Sequence, residues 1–246
     1  MNMFDLNEIL RTHPYPGRGI VLGRSADDTK AVIVYFIMGR SENSRNRIFE
    51  ATEDGIRTRA FDESKMTDPS LIIYHPVRMV GTTTIVTNGD QTDTIRDSLL
   101  AGKSYIDALR TRCYEPDGPN YTPRISGVVD QDGSFCLSIL KSADGDPACS
   151  HRYFYEYDAP LAGEGRFIHT YQENAEPLPS FEGEPRRVSV SAPDAETLAS
   201  QVWASLNEDN KVSLFVQYIH LATGERETVI LNKHGEQAHA ASKVPN

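Results

Sequence analysis

The sequence predicts an α+β fold in which two antiparallel sheets pack face to face and helices cover their outer faces. Three observations carry this expectation. About ten β-rich segments are arranged mostly as hairpins. Only two or three stretches have helical periodicity. One run, residues 31–38 (AVIVYFIM), has no charge at all and reads as a strand buried on both faces. So many strands with one apolar face each need a second sheet to bury them, and the helices must close the outside.

Taken in order, residues 5–10 suit a short helical turn, ended by His13-Pro14-Tyr15-Pro16-Gly17. Residues 20–22 and 31–38 make a hairpin across the polar stretch 23–30. Residues 47–51 and 56–61 make a second, with Asp54-Gly55 as its turn. Residues 71–74 and 79–87 are further β segments, and a helix follows, capped by Thr92 or Asp93, with Ile95, Leu99 and Leu100 as its apolar stripe. Gly102 interrupts before a helical piece at 104–110. Residues 125–129 and 134–140 bracket a turn at Asp130-Gln131-Asp132-Gly133, and 153–157 and 166–171 continue the β pattern. The Pro- and Glu-rich stretch 173–185 resembles a linker, yet only a strand (187–191), a helix capped by Asp194 and a hairpin (211–221 with 225–231) follow it. These complete a sheet, so 1–236 reads as one domain and 237–246 as a disordered tail.

Composition narrows the function. The 246 residues are 39% hydrophobic and 24% charged, as in ordinary globular proteins, and the net charge of −10 speaks against a nucleic-acid partner. Residues 1–10 carry Asp5 and Glu8 and lack a secretory pattern, and no run is long enough to span a bilayer. Cys113, Cys136 and Cys149 form no C-x-x-C pair, which suits a reducing cytoplasm. The histidines show no metal-binding spacing, and there is neither a P-loop nor a G-x-S-x-G elbow, so no cofactor and no metal are expected. Gly17-Arg18-Gly19 imitates a dinucleotide fingerprint but precedes a strand, and Asp130 to Gly133 imitates a calcium loop without its closing glutamate.

Against this acidic background, residues 39–47 (GRSENSRNR) stand out. Arg40, Arg45 and Arg47, with Asn43 and Asn46, leave the buried strand as a knot of donors suited to a phosphate or carboxylate. Three further places carry chemistry. Tyr74 is a phenol at a strand end. Asn88 to Asp93 form a strand-to-helix junction favourable to an anion. Residues 115–125 (EPDGPNYTPRI) present a carboxylate, a phenol and a guanidinium on a loop stiffened by three prolines.

Several motifs in the same order resemble the archaeal-type IMP cyclohydrolase family: Tyr15-Pro16-Gly17-Arg18-Gly19, the 39–47 tract, Thr87-Asn88-Gly89 with Gln91 and Asp93, residues 120–125, 165–171 and 179–185. The resemblance implies an α-β-β-α fold of the N-terminal-nucleophile-hydrolase type. It also implies closure of the second purine ring of the formylated aminoimidazole carboxamide ribonucleotide, with loss of water, to give IMP. By motif position the family's catalytic arginine looks like Arg40 or Arg47, its tyrosine like Tyr74 and its glutamate like Glu115. Arg40, Arg45 and Arg47 then share the ribose phosphate and the formyl oxygen. Arg18, Asn43, Asn88, Asp93, Tyr121, Thr122 and Arg124 complete the nucleotide contacts. The implied partner is a small purine ribonucleotide, with a homo-oligomer left open.

Two departures from the family are visible. Asn2 follows Met1, which leaves no N-terminal Ser, Thr or Cys, and Asn120-Tyr121 reverses the usual order before Thr-Pro-Arg. Two other functions stay open beside ring closure: a purine-nucleotide-binding module without catalysis, and a small-amide hydrolase on the same scaffold.

Overall fold

Residues 18–24 and 30–38 form the central hairpin, β1 (Arg18–Arg24) and β2 (Lys30–Met38). The computed structural model describes residues 3–66, 68–143, 145–235 and 238–242. Strand β2 is buried on both faces, as its sequence predicts, and its two faces serve different layers. Val32, Val34, Phe36 and Met38 pack beneath helices α1 (Leu6–Thr12) and α5 (Ala195–Ser205). Ala31, Ile33, Tyr35 and Ile37 face the opposite sheet. Alternation along one strand therefore fixes two of the interfaces of the sandwich.

The first sheet has the order β11 (Arg186–Ser189), β10 (Glu164–His169), β1, β2, β12 (Lys211–His220), β13 (Arg226–Asn232), β14 (Ala238–Ser242). The second runs in chain order: β3 (Arg47–Thr52), β4 (Gly55–Ala60), β5 (Val77–Val80), β6 (Thr83–Thr87), β7 (Arg124–Val129), β8 (Phe135–Ala143), β9 (Asp146–Tyr157). Neighbouring strands are antiparallel throughout. Helices α3 (Gln91–Leu100) and α4 (Tyr105–Arg110) cover the outer face of the second sheet, where Ile95, Ala108 and Leu109 meet Ile85, Val128 and Leu140. The order is thus helix, sheet, sheet, helix, and the fold is the predicted α+β sandwich.

Between the sheets, Ile20, Leu22, Tyr35, Phe49, Ile125, Leu137 and Phe215 form a continuous apolar seam. Burial at about 25 cal/mol per Å² of apolar surface makes this seam, with the cluster under α1 and α5, a major stabilising contact of the molecule. Because side chains alternate, Arg18 shares a face with Ile20 and Leu22, and Arg47 shares one with Phe49. Both arginines therefore point into the same end of this seam.

Several local expectations change. Residues 71–74 are not a strand: the Ile72 and Ile73 N–H groups both donate to the Pro69 carbonyl, which turns the chain. Thr58 then fastens the turn to β4, its N–H donating to the Tyr74 carbonyl at 2.8 Å and its hydroxyl to the Ile72 carbonyl at 2.7 Å. Residues 79–87 split into β5 and β6 around Gly81-Thr82. The N-cap residue of α3 is Asp90, not Thr92 or Asp93, and its side chain makes no capping hydrogen bond. Its carboxylate is drawn away by Arg112 and Arg124, each at 2.6–2.7 Å.

The 39–47 tract is not an open loop. It contains a four-residue helix, α2 (Glu42–Arg45), closed by a reciprocal Ser41–Ser44 capping box, and it carries the chain from the first sheet into the second. Strand β14 lies within the stretch predicted as a disordered tail; residues 237 and 243–246 of that stretch, and Asn2, lie outside the described residues. Among the described residues no helix is long and apolar enough to cross a membrane.

Candidate active site

The crossover between the sheets sends the three arginines of the basic tract to three destinations. Arg45 is spent on the crossover itself: Nε donates to the Gly39 carbonyl at 2.9 Å and Nη2 to Asn210 Oδ1 at 3.0 Å. Arg40 stands at the mouth, over the ring of Tyr15 at 5.1 Å, paired with Glu176 at 2.9 Å and donating to Asn174. Arg47 goes inward. It is fully buried, its Nε donates to the Ser44 carbonyl at 2.8 Å, and Nη1 and Nη2 have no hydrogen-bond partner.

Burial, together with the like charge of Arg18 within electrostatic reach, lowers the Arg47 pKa. Two guanidiniums on one seam, with no salt bridge to either among the described residues and Glu115 within electrostatic reach of both, form a site suited to an anion. Phenols surround the pair. Tyr35, from the buried strand, shares a hydrogen bond with Tyr74 at 2.9 Å, and both lie within electrostatic reach of Arg47. Tyr15 stacks on Tyr171 with ring centroids 5.7 Å apart, and both lie beside Arg18. Burial raises the pKa of Tyr35 and of Tyr171, so both are donors or acceptors with their protons in place.

Tyr171 is held from behind through its carbonyl, which accepts from His13 Nε2 at 3.1 Å and from His169 Nδ1 at 2.8 Å. Gly17 makes the other side of this wall. Its φ is +78°, and a Cβ there would lie 2.3 Å from Thr170 Oγ1 and 2.5 Å from the Tyr171 ring. Gly17→Ala is therefore expected to destabilise the fold by about 3 kcal/mol, from left-handed strain and collision together. Thermal unfolding checks this, and an unchanged melting temperature would contradict the packing described.

Glu115 enters from the proline-stiffened loop. It is 4% exposed, and its N–H donates to the Thr122 carbonyl at 2.9 Å. Burial pushes its carboxyl up from 4.5 to about 7, against the opposing pull of Arg18, Arg124 and Arg47 and with a smaller contribution from Asp117. Gly89 makes room for this arrangement. A Cβ there would stand 2.6 Å from Arg124 Nη1 and 3.4 Å from Glu115 Oε1.

Of the other sequence-predicted residues, Thr122 joins the cluster, its hydroxyl 2.7 Å from that of Tyr171. Arg124 supports it from the α3 side, donating to Gln91 Oε1 at 2.7 Å and pairing with Asp90. Tyr121, at φ +42°, turns to Tyr114 and lines a cleft of about 560 Å³ shared with Arg112 and Arg124. Asn88 is consumed by structure: its amide donates to the Pro123 carbonyl and its oxygen accepts from the Ile125 N–H and from Gln91. The Asp93 carboxylate is taken up by Arg78, which also binds Asp54. Asn43, on α2, has a buried side-chain oxygen without a partner.

Four residues in this wall were not among the predicted contacts: Tyr15, Tyr35, Tyr171 and Asp117. Tyr15 and Tyr171 sit inside the quoted motifs. Tyr35 had only one signal, a hydroxyl in an otherwise apolar strand.

A family model described as IMP cyclohydrolase-like protein matches residues 15–225. The chain is similar to the IMP cyclohydrolase of Methanococcus maripaludis strain C7, 34% identical over 126 residues, which is 49% of this chain and 61% of that protein. It is similar to that of Methanopyrus kandleri, 30% identical over 166 residues, 66% of this chain and 77% of that protein. It also resembles that of Halobacterium salinarum, 30% identical over 158 residues, 60% of this chain and 76% of that protein. Of the Methanococcus protein, less than two thirds is spanned.

Proposed function

Since the chain belongs to the IMP cyclohydrolase-like protein family, we propose that it is a cytoplasmic enzyme that closes the formylated aminoimidazole carboxamide ribonucleotide to IMP. The observation that carries this reading is the pair of guanidiniums, Arg18 and Arg47, within electrostatic reach of Glu115 and the Tyr35–Tyr74 pair and with no salt bridge among the described residues. A monophosphate ligand with polarised carbonyl groups supplies what such a site lacks.

In ring closure the carboxamide nitrogen adds to the formyl carbon, and the formyl oxygen then departs as water. Both protons of that water come from nitrogen, one from the carboxamide and one from the former formamide. Glu115, with its carboxyl near 7, takes each proton from nitrogen and passes it on toward the oxygen. Arg47 and Tyr74 donate to the formyl oxygen while it carries negative charge. Arg18 and Arg40, nearer the mouth and sharing Tyr15, receive the phosphate. Folding of the two side arms together by this wall supplies the remaining advantage.

Tyr74→Phe removes one donor to the oxygen and is expected to lower turnover about 100-fold. The same change costs about 1 kcal/mol of stability through the lost Tyr35 bond. Full turnover in this variant would take Tyr74 out of the reaction. The reading as a whole is tested by mixing the purified protein with the formylated ribonucleotide and following IMP by its absorbance. Steady formation of IMP supports it. Binding of IMP without ring closure would instead identify a nucleotide-binding module, a role for which a carboxyl poised near neutrality is superfluous.

A further inference from the structure

Asp117 stands two residues after Glu115 and has no part in the chemistry above. Its Oδ1 accepts the Thr122 N–H at 2.6 Å, and its Oδ2 accepts the Thr122 hydroxyl. A carboxylate can only accept, so the one hydroxyl proton of Thr122 is committed to Asp117. The Thr122 oxygen is then an acceptor toward Tyr171, 2.7 Å away, and the Tyr171 phenol must be the donor. Tyr171 is buried and stacked on Tyr15, and Arg18 lies within its electrostatic reach.

We propose that Asp117 is a positioning residue that fixes the direction of this chain, so that Tyr171 offers the nucleotide side only oxygen lone pairs. The inference deepens the proposed function and rests on it for the identity of the ligand. Tyr171 then accepts from Arg18 or from an N–H or O–H of the nucleotide, and it rejects a carbonyl or phosphate oxygen at that place. Asp117 thereby selects which end of the ligand lies against Tyr171. It does so through Thr122, which engages both of its carboxylate oxygens.

Asp117→Asn tests the direction with little change of shape. The Asn oxygen must stay on the Thr122 N–H, which leaves the amide nitrogen facing the Thr122 hydroxyl as a donor. Thr122 then donates to Tyr171, and the phenol proton swings toward Arg18 and the ligand. By titration calorimetry with IMP, Asp117→Asn and Tyr171→Phe are each expected to weaken binding about 10-fold, and the double variant no further than either alone. In a Thr122→Val background, where the chain is cut, Asp117→Asn is expected to change affinity less than about 2-fold. Losses that multiply in the double variant, or an Asp117→Asn effect that survives Thr122→Val, would show that Asp117 merely braces the loop.

Neutron diffraction from the ligand-free, deuterium-exchanged protein reads the same chain without any nucleotide. The inference requires deuterons on Tyr171 aimed at Thr122 and on Thr122 aimed at Asp117. A Thr122 deuteron aimed at Tyr171 overturns it. Because this readout needs no ligand, failure of IMP to bind the unchanged protein would count against the functional reading alone.

Discussion

Arg47→Met is expected to slow ring closure about 1,000-fold and at the same time to raise the melting temperature. The first effect follows from removing a charged donor from the oxygen that gains charge, a loss of about 4 kcal/mol in the transition state. The second follows from burial. The Arg47 side chain is fully buried, its Nη1 and Nη2 have no partner, and Arg18 adds a like charge beside it. Replacing such a charge by an apolar chain of similar volume is stabilising by about 1–4 kcal/mol, against which the lost bond to the Ser44 carbonyl weighs about 1. Steady-state kinetics and calorimetric unfolding check the two halves. A variant that melts lower and keeps its activity would make Arg47 a structural strut.

Glu115→Gln is expected to abolish turnover, by about 1,000-fold or more, because the amide can neither take nor return a proton. Its effect on stability depends on pH, and the sign is set by the raised carboxyl. The folded protein holds this proton up to about 7, whereas the unfolded chain releases it near 4.5. Between those values the folded state binds the extra proton, so the contribution is fully present below about 4.5 and is lost as pH rises toward 7. The whole swing is about 3 kcal/mol. The variant should therefore melt above the unchanged protein at pH 8, and the difference should disappear on acidification to pH 4. With Glu115 as the base, the rate of the unchanged enzyme rises with pH through about 7. A flat difference in stability between pH 4 and 8 would return Glu115 to an ordinary solvated carboxylate.

The layer order was legible in the sequence because burial leaves a mark on composition: a strand read by two layers must be apolar at every position, and residues 31–38 are. The same uniformity hid Tyr35, since a phenol in an apolar run looks like any aromatic until its hydroxyl is seen to reach Tyr74. The basic tract was legible as a donor cluster but not as three separate fates. Those depend on the capping box of α2 and on strand alternation at Arg47, which decide only in three dimensions which guanidinium turns inward. Asn88 and Asp93 look like ligand contacts at a strand-to-helix junction. In the fold, however, Pro123, Ile125 and Arg78 had first claim on their polar atoms. Residues 71–74 look like a strand because Leu71, Ile72, Ile73 and Tyr74 suit one, and only the two N–H groups gathered by Pro69 turn them into the loop that delivers Tyr74.

A crystal structure of the protein with IMP tests the central claim most directly. Convergence of the two guanidiniums, the phenol and the carboxyl on one nucleotide predicts Glu115 and Tyr74 within hydrogen-bond distance of the pyrimidine half of the base. It also predicts a ligand oxygen on the vacant Nη1 or Nη2 of Arg47 and the phosphate between Arg18 and Arg40. IMP seated instead in the cleft of about 500 Å³ bounded by Asn120, Lys141 and Gln172, with the Arg47 nitrogens still unpartnered, would contradict it.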